Sequence, residues 1–385
     1  MVEMADIFRI HGQAYLKKYG SKMLPSHKKA MWAIKNCRTD TFGGHVYLCQ
    51  KCENYHYSFH SCKNRHCPKC GNEKANAWLE QQNNLILPTV YFMVTFTLPE
   101  VFRKIARSNQ KIIYNIFFRT SAAALQKLAW DERFVGGLLG MVAVLQTWTR
   151  DMLYHPHIHF IVTGGGMSAD GNSWLNSSEK FLVRVELLST IFRAKFRDEL
   201  KKTDLFQQVP AKAWKQNWNV NCIPVGSGKH ALKYLAPYIF RVAISNNRIL
   251  KLENGKVTFC YKESNSQKSD DKKSQTTKIC TLPAEKFISR FLQHVLPDRF
   301  IKVRYYGLLS PRKRALLNEA KKLLRVKITD KEHNKNSKTT DEEKTKIMRC
   351  PKCGEIMILI KEIKPKERPY FGKTVNNYSS SIRAP

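Results

Sequence analysis

The stretch that decides the fold is His155-Pro156-His157-Ile158-His159, followed by Phe160-Ile161-Val162 and Gly164-Gly165-Gly166. Successive side chains of an extended strand point to opposite faces, so the three imidazoles would share one face. Imidazole binds transition metals well, and a stiff strand holds such ligands close together. The alternation therefore favours a metal-binding face over a polar face whose histidines bond to neighbours or water. Because Pro156 cannot donate to a strand ladder, His157 and His159 are better placed than His155.

The sequence around this stretch predicts mixed strands and helices. Residues 90–97 are β-branched and aromatic, which is typical of a buried strand. Residues 101–128 carry apolar positions at helical spacing, and 140–149 is a second apolar strand. The connection at 150–154 is short, which favours antiparallel pairing with the histidine strand. We expect an α+β fold.

The charge of the chain indicates a polyanionic partner. Its 385 residues include 66 Lys and Arg against 31 Asp and Glu, a net charge of +35. Nucleic acid is the commonest such partner, although phosphate contacts alone carry no sequence specificity. The first residues contain no apolar signal core, and no run approaches the roughly 18 apolar residues of a membrane span. We expect a soluble, cytoplasmic protein that acts at the nucleoid and binds no membrane.

Six of the eleven cysteines lie between residues 37 and 70. The pairs Cys49/Cys52 and Cys67/Cys70 are each two residues apart, and two such turns can complete a structural Cys₄ zinc site. Redox pairs and plain buried thiols are the alternatives. The remaining candidates for a second zinc ion are Cys37, His45, Cys62 and His66. Near the other end, Cys350 and Cys353 form half a zinc knuckle, either a remnant or a site shared across a dimer.

Two tyrosines form a further candidate site. Tyr234 and Tyr238 are four apart and would share one face of a helix, although Pro237 disfavours a regular helix there. The alternative is a pair of core tyrosines.

The basic residues that we select as DNA contacts are Lys63, Arg65, Lys229, Lys233 and Arg241. Further on, 249–261 reads as a hairpin turning at 253–255, and 264–278 as a polar loop.

In this order the motifs closely resemble those of rolling-circle insertion-sequence transposases, the two-tyrosine branch of the HUH nucleases. The matching segments are Cys37-Arg-Thr, Gly43-Gly-His-Val, Ser61-Cys-Lys-Asn-Arg-His-Cys-Pro-Lys-Cys70, Phe96-Thr-Leu-Pro99, His155-Pro-His-Ile-His159, Gly164-Gly-Gly166, Tyr234-Leu-Ala-Pro-Tyr238, Arg241-Val-Ala-Ile-Ser245 and His294-Val-Leu-Pro297. They cover roughly residues 6 to 310 in the family's order.

The resemblance implies a zinc-binding domain followed by a nuclease domain with a central antiparallel sheet and flanking helices. We place these at residues 1–88 and 89–310, with a basic helix and charged linker at 311–349 and a tail at 350–385. The resemblance makes His157 and His159 ligands of a catalytic Mg²⁺ or Mn²⁺, with His155 as the first candidate for a third ligand and Gln146 behind it. It makes Tyr234 and Tyr238 the nucleophiles.

The expected activity is nicking and rejoining of single-stranded DNA through a 5′-phosphotyrosine intermediate. The main alternative is a non-catalytic, zinc-dependent DNA-binding protein. A metallo-oxygenase would need a facial carboxylate and fits poorly with a net charge of +35. The sequence leaves the oligomeric state open.

Overall fold

The computed structural model describes residues 1–70, 78, 82, 85–228, 230, 239, 242–264, 275–325 and 348–372. The helices are α1 (Met4–Tyr19), α2 (Pro25–Lys35), α3 (Arg103–Ser108), α4 (Gln110–Ala129), α5 (Val185–Lys201), α6 (Ala284–Leu292) and α7 (Arg314–Leu323). The strands are β1 (Gly44–Cys49), β2 (Asn54–Phe59), β3 (Val90–Thr97), β4 (Leu138–Trp148), β5 (Tyr154–Met167), β6 (Trp174–Asn176), β7 (Val220–Ser227), β8 (Ile249–Glu253), β9 (Lys256–Ser264), β10 (Gln275–Pro283), β11 (Val303–Gly307) and β12 (Ile358–Ile363). The α+β prediction is confirmed.

The chain divides into two compact units, and neither is continuous in sequence. The cysteine unit comprises Met1–Gly71, Ile244–Asp298 and Asp330–Pro385. The histidine unit comprises Asn72–Ala243 and Arg299–Thr329. This division differs from the predicted boundaries at residues 88, 310 and 349, which follow the order of the sequence.

The histidine unit is built on a six-stranded sheet in the order β11-β4-β5-β3-β7, with β6 also paired to β5. Its strand pairs are all antiparallel, as the short connection before β5 predicts. The histidine strand β5 therefore has a partner on each side. Its register places His157 opposite Gln146 of β4 and His159 opposite Thr95 of β3.

Each face of this sheet is covered differently. On one face, Phe96 of β3 packs edge-on against Phe160 of β5 and Phe192 of α5, with ring centroids 5.5 and 5.0 Å apart. Each such buried ring contributes roughly 1.5–3 kcal/mol to folding. The other face carries an apolar core that includes Met93, Val144 and Ile161. Side-chain alternation puts the histidines of β5 on this second face, beyond the end of that core.

The cysteine unit contains two three-stranded sheets, ordered β12-β1-β2 and β10-β9-β8. The hairpin predicted at 249–261 is confirmed: it turns at Asn254 and Gly255, whose φ angles are +48° and +70°. Two successive residues with positive φ are what a type I′ turn requires. Residues 275–278, predicted as loop, begin strand β10 because β9 offers them a hydrogen-bonding edge.

Candidate functional site

Four cysteines from separate parts of the N-terminal region form a first cluster, made of Cys37, Cys62, Cys67 and Cys70. The cluster is assembled by the end of α2 and a loop that follows β2. The Cys70 sulfur lies 3.6 Å from that of Cys37 and 3.7 Å from that of Cys62. A hydrogen bond from the Cys70 amide to the Cys67 carbonyl, 3.2 Å long, closes the turn that aims both thiols inward.

A second cluster joins the two ends of the chain and contains Cys49, Cys52, Cys350 and Cys353. The sulfurs of Cys49 and Cys353 are 3.5 Å apart, although the residues are 304 positions apart in sequence. Strand β12 pairs antiparallel with β1 and brings the C-terminal pair to this place. The segment 350–372 is therefore not a separate tail, and Cys350 and Cys353 have their partners within the same chain.

This arrangement corrects the predicted grouping of the zinc ligands. Cys49/Cys52 and Cys67/Cys70 do not share one site, because each pair belongs to a different cluster. Of the residues predicted for a second ion, Cys37 and Cys62 complete the first cluster. His45 and His66 belong to neither cluster: the His45 ring lies 5.0 Å from that of His60, and His66 Nε2 accepts a hydrogen bond from the Leu296 amide.

The geometry of both clusters suits tetrahedral zinc. A Zn–S bond of about 2.3 Å places the sulfurs of a tetrahedral site about 3.8 Å apart. The measured separations of 3.5–3.7 Å lie close to this value. Hydrogen bonds from Cys62 and then Cys67 lower the pKa of the Cys37 thiol, whereas the hydrogen bond with Cys37 raises the pKa of Cys62 and of Cys67, so the four thiols titrate as a group. Four thiols per cluster leave no open position, so these are structural rather than catalytic sites.

The histidine strand provides a different kind of site. The rings of His155 and His157 are 5.4 Å apart, and those of His157 and His159 are 4.8 Å apart. All three therefore lie along one face of β5, as alternation predicts. Among the described residues, the three histidines do not converge on one point as a set of ligand atoms, either with one another or with a Cys, Asp or Glu.

Hydrogen bonds fix the orientation of the two central rings. His157 Nδ1 donates to the carbonyl of His155 at 2.7 Å, so the neutral ring presents the lone pair of Nε2. That Nε2 lies 3.2 Å from Gln146 Oε1 on the neighbouring strand. His159 Nδ1 is held by the Thr95 hydroxyl at 3.0 Å. Such second contacts select a tautomer and aim the other ring nitrogen.

Burial keeps these imidazoles neutral. It lowers the pKa of His157 to about 4, and it lowers the pKa of His159 to about 3 with a further contribution from the charge of His157. Neutral imidazole is the form that binds metals. The spacing of His157 Nε2 and Gln146 Oε1 also suits neighbouring ligands of one octahedral ion, which lie about 3 Å apart when each bond is about 2.1 Å.

His155 is in a different environment from the other two. Its Nδ1 accepts a hydrogen bond from the Arg103 guanidinium at 3.3 Å. Burial, and then the charge of Arg103, lowers the pKa of His155. A guanidinium beside a ring nitrogen opposes a cation at that nitrogen, so this geometry favours Gln146 over His155 as a third ligand.

Several predicted site residues lie outside the described part of the chain. These are Tyr234, Tyr238, Lys229, Lys233 and Arg241. Ile239, which follows Tyr238, is described: it is buried in the core on the histidine face, and its carbonyl accepts a hydrogen bond from Lys302 Nζ at 2.8 Å. Lys63 and Arg65 lie in the loop of the first cysteine cluster.

The sequence reasoning missed Thr95, Arg103 and the partnership of Cys350 with Cys49. A signal existed for the cysteines, because Cys350-Pro-Lys-Cys353-Gly354 repeats Cys67-Pro-Lys-Cys70-Gly71. Thr95 could be found only through the register of β3 against β5.

Among the described residues, no helix has both the length and the apolar composition needed to cross a membrane.

Comparison with known proteins identifies two family regions. Residues 7–98 match a family described as "Transposase zinc-binding domain", and residues 140–316 match one described as "Putative transposase". The first contains Cys37 to Cys70 but ends before Cys350, and the second contains the histidine strand and both predicted tyrosines.

Full-length relatives agree with these matches. A protein of Sinorhizobium fredii named "Putative transposase y4qJ" is 36% identical over 386 residues, covering 94% of this chain and 95% of its own length. The transposase for insertion sequence element IS801 of Pseudomonas savastanoi pv. phaseolicola is 25% identical over 293 residues, covering 72% of this chain and 68% of its own length. No solved structure matches the chain. This chain therefore belongs to the IS91-type insertion-sequence transposases, a family of DNA-processing enzymes with a zinc-binding domain.

Proposed function

We propose that the chain nicks and rejoins single-stranded DNA by metal-dependent tyrosine transesterification, as the transposase of a rolling-circle element. The observation that carries this proposal is the pair of imidazoles on the central strand of the sheet: His157 is half-buried, His159 is buried, and desolvation keeps both neutral. Two oriented nitrogen ligands on a strand with partners on both sides form a rigid site, as catalysis requires.

A divalent metal fits this pair of histidines. His157 and His159 would hold Mg²⁺ or Mn²⁺, and we place Gln146 ahead of His155 as the third ligand because Arg103 contacts His155. When bound, the ion would stabilise negative charge on the oxygens of the scissile phosphate. Imidazole suits manganese better than magnesium, so we expect tighter binding of manganese.

The tyrosines supply the nucleophile in this mechanism. The phenol oxygen of Tyr234 or Tyr238 loses its proton to solvent and attacks the phosphorus, and the bond from phosphorus to the 3′ oxygen breaks. The 3′ oxygen takes a proton and leaves as a hydroxyl, while the 5′ end stays on the tyrosine. The new ester conserves the energy of the broken one, so a free 3′-hydroxyl can reverse the attack and join strands without a nucleotide cofactor. Two tyrosines allow two strands to be cut and exchanged.

Ile239 supports the assignment of the tyrosines to this site. It lies in the core on the face of the sheet that carries the histidines, and it directly follows Tyr238 in the chain. The Ile239 carbonyl accepts a hydrogen bond from Lys302 Nζ, and the position of Ile239 supports the proposal that Tyr238 acts at the histidine site.

Zinc has a separate role in this proposal. Each cysteine cluster would hold one structural Zn²⁺, and the basic loop with Lys63 and Arg65 would then present its charges to DNA. The net charge of +35 supports a DNA partner, and the phosphate contacts should make binding strongly dependent on salt.

The test is covalent capture. The full chain is incubated with Mn²⁺ and 5′-labelled and 3′-labelled single strands from the ends of the element, and adducts are resolved under denaturing conditions. We expect an adduct that carries only the 3′ portion of the nicked strand. His157→Ala should lower its rate at least about 100-fold, since each nitrogen ligand orients the ion, and should leave DNA affinity unchanged. Tyr261→Phe, in strand β9, serves as the control for the double variant Tyr234→Phe with Tyr238→Phe.

Two results would overturn the proposal. An adduct formed at the normal rate by the double tyrosine variant would exclude these nucleophiles. Tight binding of the single strand by the native chain without any adduct in Mn²⁺ would instead identify a non-catalytic, zinc-dependent DNA-binding protein.

A further inference from the structure

A cavity of about 690 Å³ lies in the cysteine unit, and no residue of the histidine strand lines it. Its volume is typical of small-ligand sites, which span roughly 300–1,000 Å³. The walls come from α2, from the loop 62–66 of the first cysteine cluster, and from the segments 295–298 and 368–372. Two of its lining residues, Lys63 and Arg65, are those proposed to contact DNA, whereas its aromatic residues take no part in the cleavage mechanism.

Aromatic rings line the cavity. Trp32 is one of them, and its ring centroid lies 5.2 Å from that of Phe42 and 6.0 Å from that of Phe371. Tyr370 also lines the cavity and is 82% exposed. Exposed rings beside half-buried ones offer flat apolar faces on which a nucleobase can stack, and such stacking tolerates any base.

The charged residues of the cavity are mostly cationic. Lys29, Lys63, Arg65 and Arg368 line it together with one carboxylate, Asp298. Lys29 Nζ lies 3.4 Å from Asp298, and the Arg368 guanidinium lies over the Phe42 ring at 5.6 Å. Four cations against one anion, placed beside aromatic rings, suit a ligand that combines a phosphate with a flat base.

The first cysteine cluster holds one wall of this cavity in place. Cys62 belongs to both the cluster and the cavity lining, and Lys63 follows it with a φ of +51°. This left-handed conformation is unfavourable for a lysine and persists where the surrounding structure imposes it. Arg65 donates to the Pro297 carbonyl at 3.1 Å, which ties the loop to the opposite wall. The cluster therefore positions both basic residues of the loop.

We propose that this cavity binds one unpaired nucleotide of a DNA strand, with the base against the aromatic rings and the flanking phosphates on the basic residues. A stacked, paired base cannot enter a concave site, so the cavity selects single-stranded or extruded nucleotides. The inference rests on the proposed function, since it takes DNA as the substrate, and it assigns the capture of an unpaired base to the cysteine unit.

The test is photo-crosslinking of the full, zinc-loaded chain to single-stranded oligonucleotides that carry 5-iodouracil at one position each. We expect crosslinks from a limited set of positions to peptides containing residues 32, 42, 370 or 371. The double variant Tyr370→Ala with Phe371→Ala should lose those crosslinks and bind the single strand about tenfold more weakly, because stacking on the two rings is lost. The matched control is Tyr55→Ala, on an exposed ring of β2 that does not line the cavity.

Crosslinks confined to other peptides, or an affinity loss equal to that of Tyr55→Ala, would overturn the inference. Suppression of the crosslinks by competitor duplex DNA as effectively as by competitor single strands would also overturn it. The same assay with the Tyr234→Phe and Tyr238→Phe double variant separates this inference from the proposed function. Crosslinks to the cavity without adduct formation by the native chain would leave the cavity assignment intact and refute the nuclease.

Discussion

The two cysteine clusters and the histidine strand are both candidate metal sites, yet they depend on the fold in opposite ways. The thiols of the first cluster span 33 positions, from Cys37 to Cys70, and those of the second span 304, from Cys49 to Cys353. The histidines lie two apart on one strand whose neighbours β3 and β4 are hydrogen-bonded to it along its length. We expect the clusters to need bound zinc to keep their geometry, whereas the geometry of the histidine strand depends on the sheet.

The two kinds of site also differ in the chemistry of their ligands. Soft thiolates in closed sets of four leave no position for a substrate, which is typical of structural zinc. A metal held, as proposed, by two imidazoles and the Gln146 oxygen would keep coordination positions for a phosphate. Metal loss should therefore unfold part of the cysteine unit, and in the histidine unit it should remove only activity.

The largest effect is expected from breaking the first cluster. Cys67→Ser, or zinc removal by a strong chelator, should release one zinc ion or more and unfold residues 37–70, because structural zinc contributes about 10–16 kcal/mol to small sites. Hydrogen exchange followed by mass spectrometry should show loss of protection in β1 and β2 and unchanged protection in β4 and β5. Cys260→Ser, outside both clusters, is the control. Retained protection in β1 and β2 would mean that the cluster does not hold the fold.

A smaller, local effect is expected from the second cluster. Cys353→Ser should reduce the zinc content from two ions to one per chain, as measured by native mass spectrometry. Strand β12 would lose its anchor, so exchange should accelerate in β12 and along β1, while the loop 62–66 stays protected by the first cluster. A chain that still binds two zinc ions would contradict the pairing of the chain ends.

The smallest effect is expected in the histidine unit, from Thr95→Val. This change keeps the side-chain volume similar but removes the hydroxyl that lies 3.0 Å from His159 Nδ1. Loss of such a contact should weaken Mn²⁺ binding about 10-fold to 100-fold, or about 1.4–2.8 kcal/mol, without changing the thermal unfolding of the chain. Titration calorimetry measures the affinity, and Thr277→Val on the exposed strand β10 is the control. A lower unfolding temperature with unchanged affinity would assign Thr95 to packing alone.

Local patterns in the sequence predict much of the histidine unit. The strands at 90–97 and near 140–149, the helices between them and the antiparallel partner of the histidine strand are all observed. These elements interact with neighbours that are close in sequence, and their apolar periodicity decides both the element and the buried face. The turn at Asn254 and Gly255 is also predicted correctly, because the two residues that form it are adjacent in sequence.

Partners distant in sequence could not be predicted in this way. The pairing of β12 with β1 joins residues more than 300 positions apart, and composition carries no information about such a contact. The cysteine pairs illustrate the limit: each two-residue spacing correctly suggests half of a metal site, but three such pairs and the single residues Cys37 and Cys62 can combine in several ways.

By itself the sequence determined the chemistry of the sites: thiols in closely spaced pairs, imidazoles alternating on a strand, and an excess of positive charge. Only the tertiary structure decided which cysteines meet, that Gln146 faces His157 while Arg103 faces His155, and that Cys350 and Cys353 close a cluster with Cys49 and Cys52. The physical reason is the distance along the sequence over which each interaction acts. Side-chain alternation and turn geometry act over a few residues, whereas a tetrahedral set of sulfurs is selected by the packing of whole strands.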